Sequence, residues 1–363
     1  MFRQVPRSAR PPRTCELVAG VPVPKVLIIG PGPTVRGGIT TVIDAYRHSF
    51  LWSKYSCSWL SSYEDTSVLA KITSAVRALA CAPVLMWNKD IIHIHGSLRT
   101  STLRKSLFVL IAHCLRKRII YHVHTSILDH LSGHFFKRIL SLSDVVVALS
   151  PGLATRLRPF CGQTPVVSIP NPVLLPEVTL YQSHSGRILF VGRLEPGKGY
   201  LDLLRALARV FAEMPGASAV FAGHGDIRAA AQIAAELEIS DKVHFTGWLS
   251  HDSMRAEYRR ASVFCLPSYS EGLPMAVLEA MSHSLPVVVT PVGGVPDLIH
   301  PGVNGLLVKA GDVVAMASAI VGLLQDSELR TSLGKAARLT VERFYRSDRV
   351  CARLSELYAS LRR

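Results

Sequence analysis

The sequence predicts an α/β protein built from two doubly wound domains. Its 363 residues exceed the size at which one hydrophobic core usually stops growing. Short Val/Ile-rich runs recur in both halves, and longer helical patterns separate them. Continuous apolar strands alternating with helices imply parallel sheets covered on both faces. Apolar residues make up 48% of the chain and charged residues 18%, a composition that builds packed interiors and excludes a disordered polymer.

The elements follow in order. Residues 1–24, MFRQVPRSARPPRTCELVAGVPVP, are rich in Arg and Pro and lack the apolar segment of a secretory signal, so they read as a disordered basic tail. KVLIIG (25–30), DIIHIH (90–95), RIIYHVH (118–124), DVVVALS (144–150) and PVVSIP (165–170) are expected as strands of a first domain over 25–175. NPVLLPEVTLYQSHSG (171–186) has two prolines and no clean period, and is the linker candidate. RILFVG, ASAVFAG, KVHFTG, SVFCLPS and LPVVVT are then the strands of a second domain over 176–340. The run SLFVLIAHCL (106–115) is about half the length that spans a bilayer, so no transmembrane helix is predicted.

Charge divides unevenly. Residues 1–170 hold 21 Lys and Arg against 7 Asp and Glu, and the remainder holds 20 against 19. The first half therefore suits a polyanion, an anionic membrane surface or a phosphorylated substrate. The seven cysteines (Cys15, Cys57, Cys81, Cys114, Cys161, Cys265, Cys351) are odd in number and scattered. Reduced thiols in the cytoplasm are expected, rather than a disulfide scaffold or a zinc finger.

Ligands of open α/β sheets bind beyond the carboxyl ends of strands. Three such loops stand out. In GPGPTVRGGIT (30–40), Val35 occupies the place of the third glycine that a dinucleotide fingerprint requires. Gly37 and Gly38 either bring the backbone close to a ligand at a helix start or merely make a turn. In VGRLEPGKGY (191–200), Gly192, Gly197 and Lys198 have P-loop spacing, but Gly199 replaces the magnesium-binding hydroxyl. What remains is Arg193 and Lys198, a clamp for a diphosphate without metal or else two solvated cations. In YSEGLPMAVLEAM (269–281), Pro274 is expected in the first turn of a helix, with Glu271 before it and Glu279 inside it. Each carboxylate has the oxygens to accept from paired hydroxyls. The alternatives are a capping acid and a solvated helix face, against which Leu278 and Ala280 flank Glu279.

HIHG and YHVHTS place His93 with His95 and His122 with His124 on one side of their strands. Zinc, a satisfied core histidine and a cleft-lining group are the possible readings. No Cys or carboxylate lies at metal-site spacing, so no metal is expected; the last member of each pair is assigned to the cleft.

Taken in order, RGGIT, HIHG, HVHTS, VGRLEPGKG, AGHGD, FTGW and EGLPMAVLEAM with LPVVVTPVGGVPDLI resemble the GT4 family of retaining, nucleotide-sugar-dependent glycosyltransferases over residues 25 to 360. The resemblance implies a GT-B fold: two Rossmann-like domains facing across a cleft, with a C-terminal segment (341–363) returning to the first. It implies that Arg193 and Lys198 hold the donor diphosphate, Glu279 the ribose and Glu271 the transferred sugar. Backbone at Gly272, Leu273 and Pro274 would stabilise sugar or phosphate, and Gly38 would approach the diphosphate from the opposite domain. His124 would lie near the anomeric carbon and the acceptor, while Gly223, Gly225, Gly247 and Trp248 would shape the base and ribose pocket. His224 departs from the small residue usual there. No cofactor beyond the nucleotide-sugar co-substrate is implied.

The segment from His93 to Ser126 further resembles enzymes of bacterial surface-polysaccharide assembly. That implies a lipid-linked saccharide acceptor and a peripheral place on the inner face of the cytoplasmic membrane. Two other readings remain: a nucleic-acid-binding protein, which the charge favours but no motif supports, and a catalytically silent nucleotide-sugar binder.

Overall fold

The computed structural model describes residues 23–64, 68–97, 99–128, 133–177 and 186–362. The expected tail and the second half of the linker candidate lie almost wholly outside the described residues.

In the first domain β1 (Val26–Gly30), α1 (Gly38–Arg47), α2 (Phe50–Lys54), β2 (Ser58–Ser61), α3 (Val68–Trp87) and β3 (Ile91–Gly96) lead to α4 (Arg99–Cys114). β4 (Arg118–Val123), α5 (His134–Ser141), β5 (Val145–Ala148), α6 (Pro151–Cys161) and β6 (Val166–Ser168) follow. The strands are all parallel, in the order β2-β1-β3-β4-β5-β6. The direction of winding reverses beside β1, and a crevice opens there.

The second domain runs β7 (Arg187–Val191), a 3-10 turn (Pro196–Lys198), α7 (Tyr200–Glu213), β8 (Ser218–Ala222), α8 (Ile227–Glu236) and β9 (Val243–Gly247). It continues with α9 (His251–Arg260), β10 (Val263–Leu266), α10 (Met275–Ser282), β11 (Val287–Val289), α11 (Val295–Leu298) and β12 (Leu306–Leu307). Its sheet is again parallel, ordered β12-β11-β10-β7-β8-β9. α12 (Val313–Gln325) and α13 (Ser327–Phe344) precede α14 (Ser347–Ser360).

Every strand expected from an apolar run is present. The sequence reading missed β2 and β12, both sheet edges whose residues are mostly half-buried. An edge strand covered on one side needs no continuous apolar run, so it leaves little trace.

α14 belongs to the second half of the chain but packs on the first domain. Its Val350, Leu354 and Tyr358 are buried with Val42, Tyr46 and Tyr55, and the Tyr55 hydroxyl donates to the Ser355 carbonyl at 2.8 Å. Tyr358 reaches the centre of the first sheet, where its Oη lies 2.8 Å from His93 Nδ1.

Candidate functional site

The two crevices meet. α1 starts at Gly38 and α10 at Met275, and a Cβ built on Gly38 would lie 3.4 Å from the Met275 side chain. Neither helix has a side-chain cap, so two sets of free backbone amides converge where the domains touch. Gly37 occupies the N-cap of α1 in an extended conformation. Pro274 is the N-cap of α10 and not part of its first turn; the helix starts one residue later than the proline preference suggests because Pro274 keeps an extended ψ of 121°.

Lys198 and Glu271, predicted on separate loops, are in contact. Lys198 Nζ donates to Glu271 Oε1 at 2.7 Å, and the Ser268 hydroxyl donates to the same oxygen at 2.7 Å. The backbone N–H of Tyr269 donates to the Gly197 carbonyl at 2.9 Å, tying the two loops together. Glu271 Oε2 has no partner among the described residues. Arg193 stands apart from this pair. It is exposed, and its Nε lies 3.6 Å from Glu195 of its own loop.

Glu279 sits one turn into α10. Tyr258 of α9, which nothing in the sequence singled out, donates its hydroxyl to Glu279 Oε2 at 2.8 Å. Burial raises the Glu279 carboxyl above the usual range, and the Tyr258 bond partly offsets this. One of the two oxygens expected to grip a diol is thus occupied, leaving Oε1.

The small residues of AGHGD hold this geometry. Gly223 has φ 148°, and a Cβ there would meet the Gly192 carbonyl oxygen at 1.9 Å; only glycine lets this loop lie against the loop carrying Arg193. Gly225 forms a bridge with Leu194. The Gly247 carbonyl accepts from Gly223 N at 2.9 Å. His224 packs its ring edge-on to Trp248, 5.9 Å between centroids, so the unusual side chain has a place at the pocket wall. Arg36 of the first domain lies over the same Trp248 ring at 5.1 Å, a cation–π contact across the cleft. The glycines of PVGG serve the carboxylate loop in the same way. Gly293 has φ 61°, and a Cβ there would meet the Glu271 carbonyl oxygen at 1.7 Å.

Opposite these groups lie the histidines. His124 Nε2 is 2.8 Å from His95 Nδ1, and His93 Nε2 is 3.3 Å from His122 Nδ1. Adjacent parallel strands put His95 beside His122 in register, so the two pairs form one stack of four rings. Burial holds all four well below the ordinary histidine range, His122 at about 3, and they are neutral imidazoles at physiological pH. Lys105 of α4 donates to the His95 carbonyl, and burial lowers its ammonium to about 7. Ring nitrogens of His93, His95 and His122 come within 4.8 Å of one another, a trio that neither sequence pair shows alone because the third ring comes from the other strand.

The domains close over this stack. The backbone of His124 lies against Gly272, Asn171 Nδ2 donates to the Leu273 carbonyl at 2.8 Å, and Ser126 Oγ lies 3.2 Å from Ser270 Oγ. Gly152 N donates to Asp297 at 2.9 Å. Of the predicted site residues, His124, Gly38, Lys198, Glu271, Gly272, Leu273 and Pro274 are thereby gathered at the domain junction. Gly223, Gly225, Gly247 and Trp248 form the adjoining wall.

Residues 185–326 match the family described as Glycosyl transferases group 1. Sulfoquinovosyl transferase SQD2 of Arabidopsis thaliana is 37% identical over 160 residues, 43% of this chain and 30% of that protein. A GDP-mannose-dependent alpha-(1-6)-phosphatidylinositol monomannoside mannosyltransferase of Mycobacterium tuberculosis is 30% identical over 177 residues, 47% of this chain and 46% of that one. These matches span less than half the length of either relative. In three dimensions HepE of Anabaena, solved in complex with UDP-glucose, superposes with a TM-score of 0.74 at 18% identity, covering 93% of this chain and all of that one. Residues 185–326 thus resemble a group 1 glycosyltransferase domain, and with the N-terminal domain they complete a GT-B fold.

Proposed function

We propose that this protein is a retaining glycosyltransferase that moves a sugar from a nucleotide-sugar donor to a hydroxyl acceptor, without a metal. The observation that carries the reading is the convergence of two uncapped helix N-termini with Lys198, beside paired carboxylate and imidazole groups. The GDP-mannose dependence of the mycobacterial relative and the UDP-glucose bound to HepE support a nucleoside diphosphate leaving group.

The chemistry follows from charge. As the glycosidic bond to phosphate breaks, the sugar becomes oxocarbenium-like and the departing diphosphate gains negative charge. Amides of α1 and α10, Lys198 and the exposed Arg193 stabilise that charge. Glu271 Oε2 accepts from a sugar hydroxyl and Glu279 Oε1 from the ribose. His124, held through Nε2, keeps Nδ1 for the sugar or acceptor. The acceptor attacks the face the diphosphate leaves, its proton passes to the leaving phosphate oxygen, and configuration is retained. No carboxylate pair exchanges protons, as a glycosidase would require.

We assign the acceptor to a lipid-linked saccharide of surface-polysaccharide assembly, reached from the inner face of the cytoplasmic membrane. The basic first half and the phosphatidylinositol monomannoside in the name of the mycobacterial relative support this. No helix among the described residues is long and apolar enough to cross a membrane, which fits a peripheral attachment. A thermal-shift screen against nucleotide sugars tests the donor: stabilisation by at least one is expected. Donor turnover that persists in EDTA is expected as well; its abolition, with recovery on added zinc, would instead assign the His93, His95 and His122 trio to a metal.

A further inference from the structure

α3 is inside out. Its sheet-facing side is Ala78, Ala82 and Met86, all buried. Its outward side carries Ile72 (56% exposed), Val76 (61%), Val84 (76%) and Trp87 (75%), with exposed Ala80 between them. Spacings of four, four, four and three residues place these on one stripe from Ile72 to Trp87 of α3. α4 repeats the pattern. Phe108, Val109 and Ala112 face the core, while Leu103, Leu107 and Leu110 are exposed outward. The two helices pack against one another on the same side of the sheet, and each turns apolar side chains outward.

The surroundings are basic. Between residues 68 and 117 the chain has eight Lys and Arg and a single acid; Lys105 among them is buried on the His95 carbonyl and does not face outward. That acid, Asp90, already accepts from the Lys25 backbone N–H at 2.7 Å. Lys71 and Arg77 lie on α3, and Arg116 and Lys117 follow the end of α4, with Lys117 Nζ donating to the Trp87 carbonyl at 2.7 Å.

We infer that the outward α3–α4 face rests on an anionic lipid surface, with Ile72, Val76, Val84, Trp87 and the three leucines in the headgroup–acyl boundary and the cations on lipid phosphates. Apolar side chains on one face with flanking Lys and Arg are what interfacial helices present, and Trp favours that depth. A second copy of the chain is the weaker occupant. Across a two-fold axis this face would meet itself, bringing like charges together. A nucleic acid would gain nothing from the apolar stripes.

The surface deepens the membrane-side part of the proposed function without depending on the donor site. α4 also carries Lys105, which holds the His95 carbonyl. The same helix therefore touches the bilayer and supports the histidine stack, which puts the acceptor side of the cleft next to the membrane.

Vesicle co-sedimentation of the full chain at low salt, with phosphatidylcholine alone and with added phosphatidylglycerol, tests the assignment. The wild type is expected to pellet with the anionic vesicles and to shift Trp emission to the blue. Val76→Ser/Val84→Ser/Leu107→Ser should lose about tenfold or more of that binding while keeping its melting temperature and its nucleotide-sugar thermal shift. Lys71→Glu/Arg77→Glu should lose the preference for anionic lipid. Equal pelleting with both vesicle types, wild-type binding by the triple variant, or a dimer that the triple variant dissociates while no vesicle binds, would overturn it. Failure of the donor screen alone would leave this face intact.

Discussion

His95 Nδ1 lies 2.8 Å from His124 Nε2, so one imidazole fixes the tautomer and ring angle of the other. His95 is wholly buried and its carbonyl is held by Lys105, which makes it a positioning residue for His124 in the proposed transfer. His95→Asn is expected to lower kcat about 10-fold or more while leaving donor KM nearly unchanged, short of the loss of about 100-fold or more expected for His124→Ala. Steady-state kinetics with varied donor distinguishes the two.

The same stack makes stability fall in acid. The unfolded chain takes up protons at these histidines near the usual value of 6.5, and the folded chain does not, with His122 held at about 3. Stability is therefore full above about pH 6.5 and is lost as pH falls toward 3. For His122 alone the loss is about 1.4 kcal/mol per pH unit, or about 2 kcal/mol by pH 5. Melting temperature followed from neutral pH downward should drop less steeply in His122→Gln.

Lys198 and Glu271 form a pair whose side chains are 24% and 9% exposed. Removing one partner leaves the other poorly solvated, so Lys198→Met should destabilise the fold by about 1–3 kcal/mol, and adding Glu271→Gln should restore part of that. Calorimetry of the single and double variants checks the coupling. Donor affinity should not recover in the double variant, because the phosphate still lacks its cation.

Tyr258→Phe removes the hydroxyl that donates to Glu279 Oε2. The carboxyl then loses the bond that lowers its pKa, and nucleoside diphosphate binding should weaken by roughly 1 kcal/mol, or several-fold. A Glu279→Gln variant with unchanged affinity in titration calorimetry would contradict the ribose role of that carboxylate.

Gly223→Ala tests the packing of the pocket wall. The new Cβ would meet the Gly192 carbonyl oxygen at 1.9 Å, so the loops must separate at a cost of about 1–3 kcal/mol. A lowered melting temperature and weakened donor binding are both expected.

Much of this was legible in residues 25–30 or 285–290, because a strand buried on both faces must be continuously apolar. β2 and β12 were not, since β2 has a single buried residue, Leu60, and β12 is only two residues long. The candidate site was legible where function demands a residue type at a loop: Lys198, Glu271 and His124 all come to the domain junction. Their mutual contacts were not, because Lys198 and Glu271 are 73 residues apart and only the alignment of two crossovers brings them within a hydrogen bond. Tyr258 lies in an ordinary surface-helix sequence, and its role exists only through the facing of α9 and α10. The outward stripe of α3 was not read from the sequence, because which side of that helix the sheet takes is settled only by packing.

The most direct measurement is titration of a nucleoside diphosphate and its sugars into the wild-type protein and into Lys198→Ala. Binding by the wild type, weakened about tenfold or more in the variant, is the predicted result. Heat and melting temperature unchanged by every nucleotide and nucleotide sugar would contradict the account.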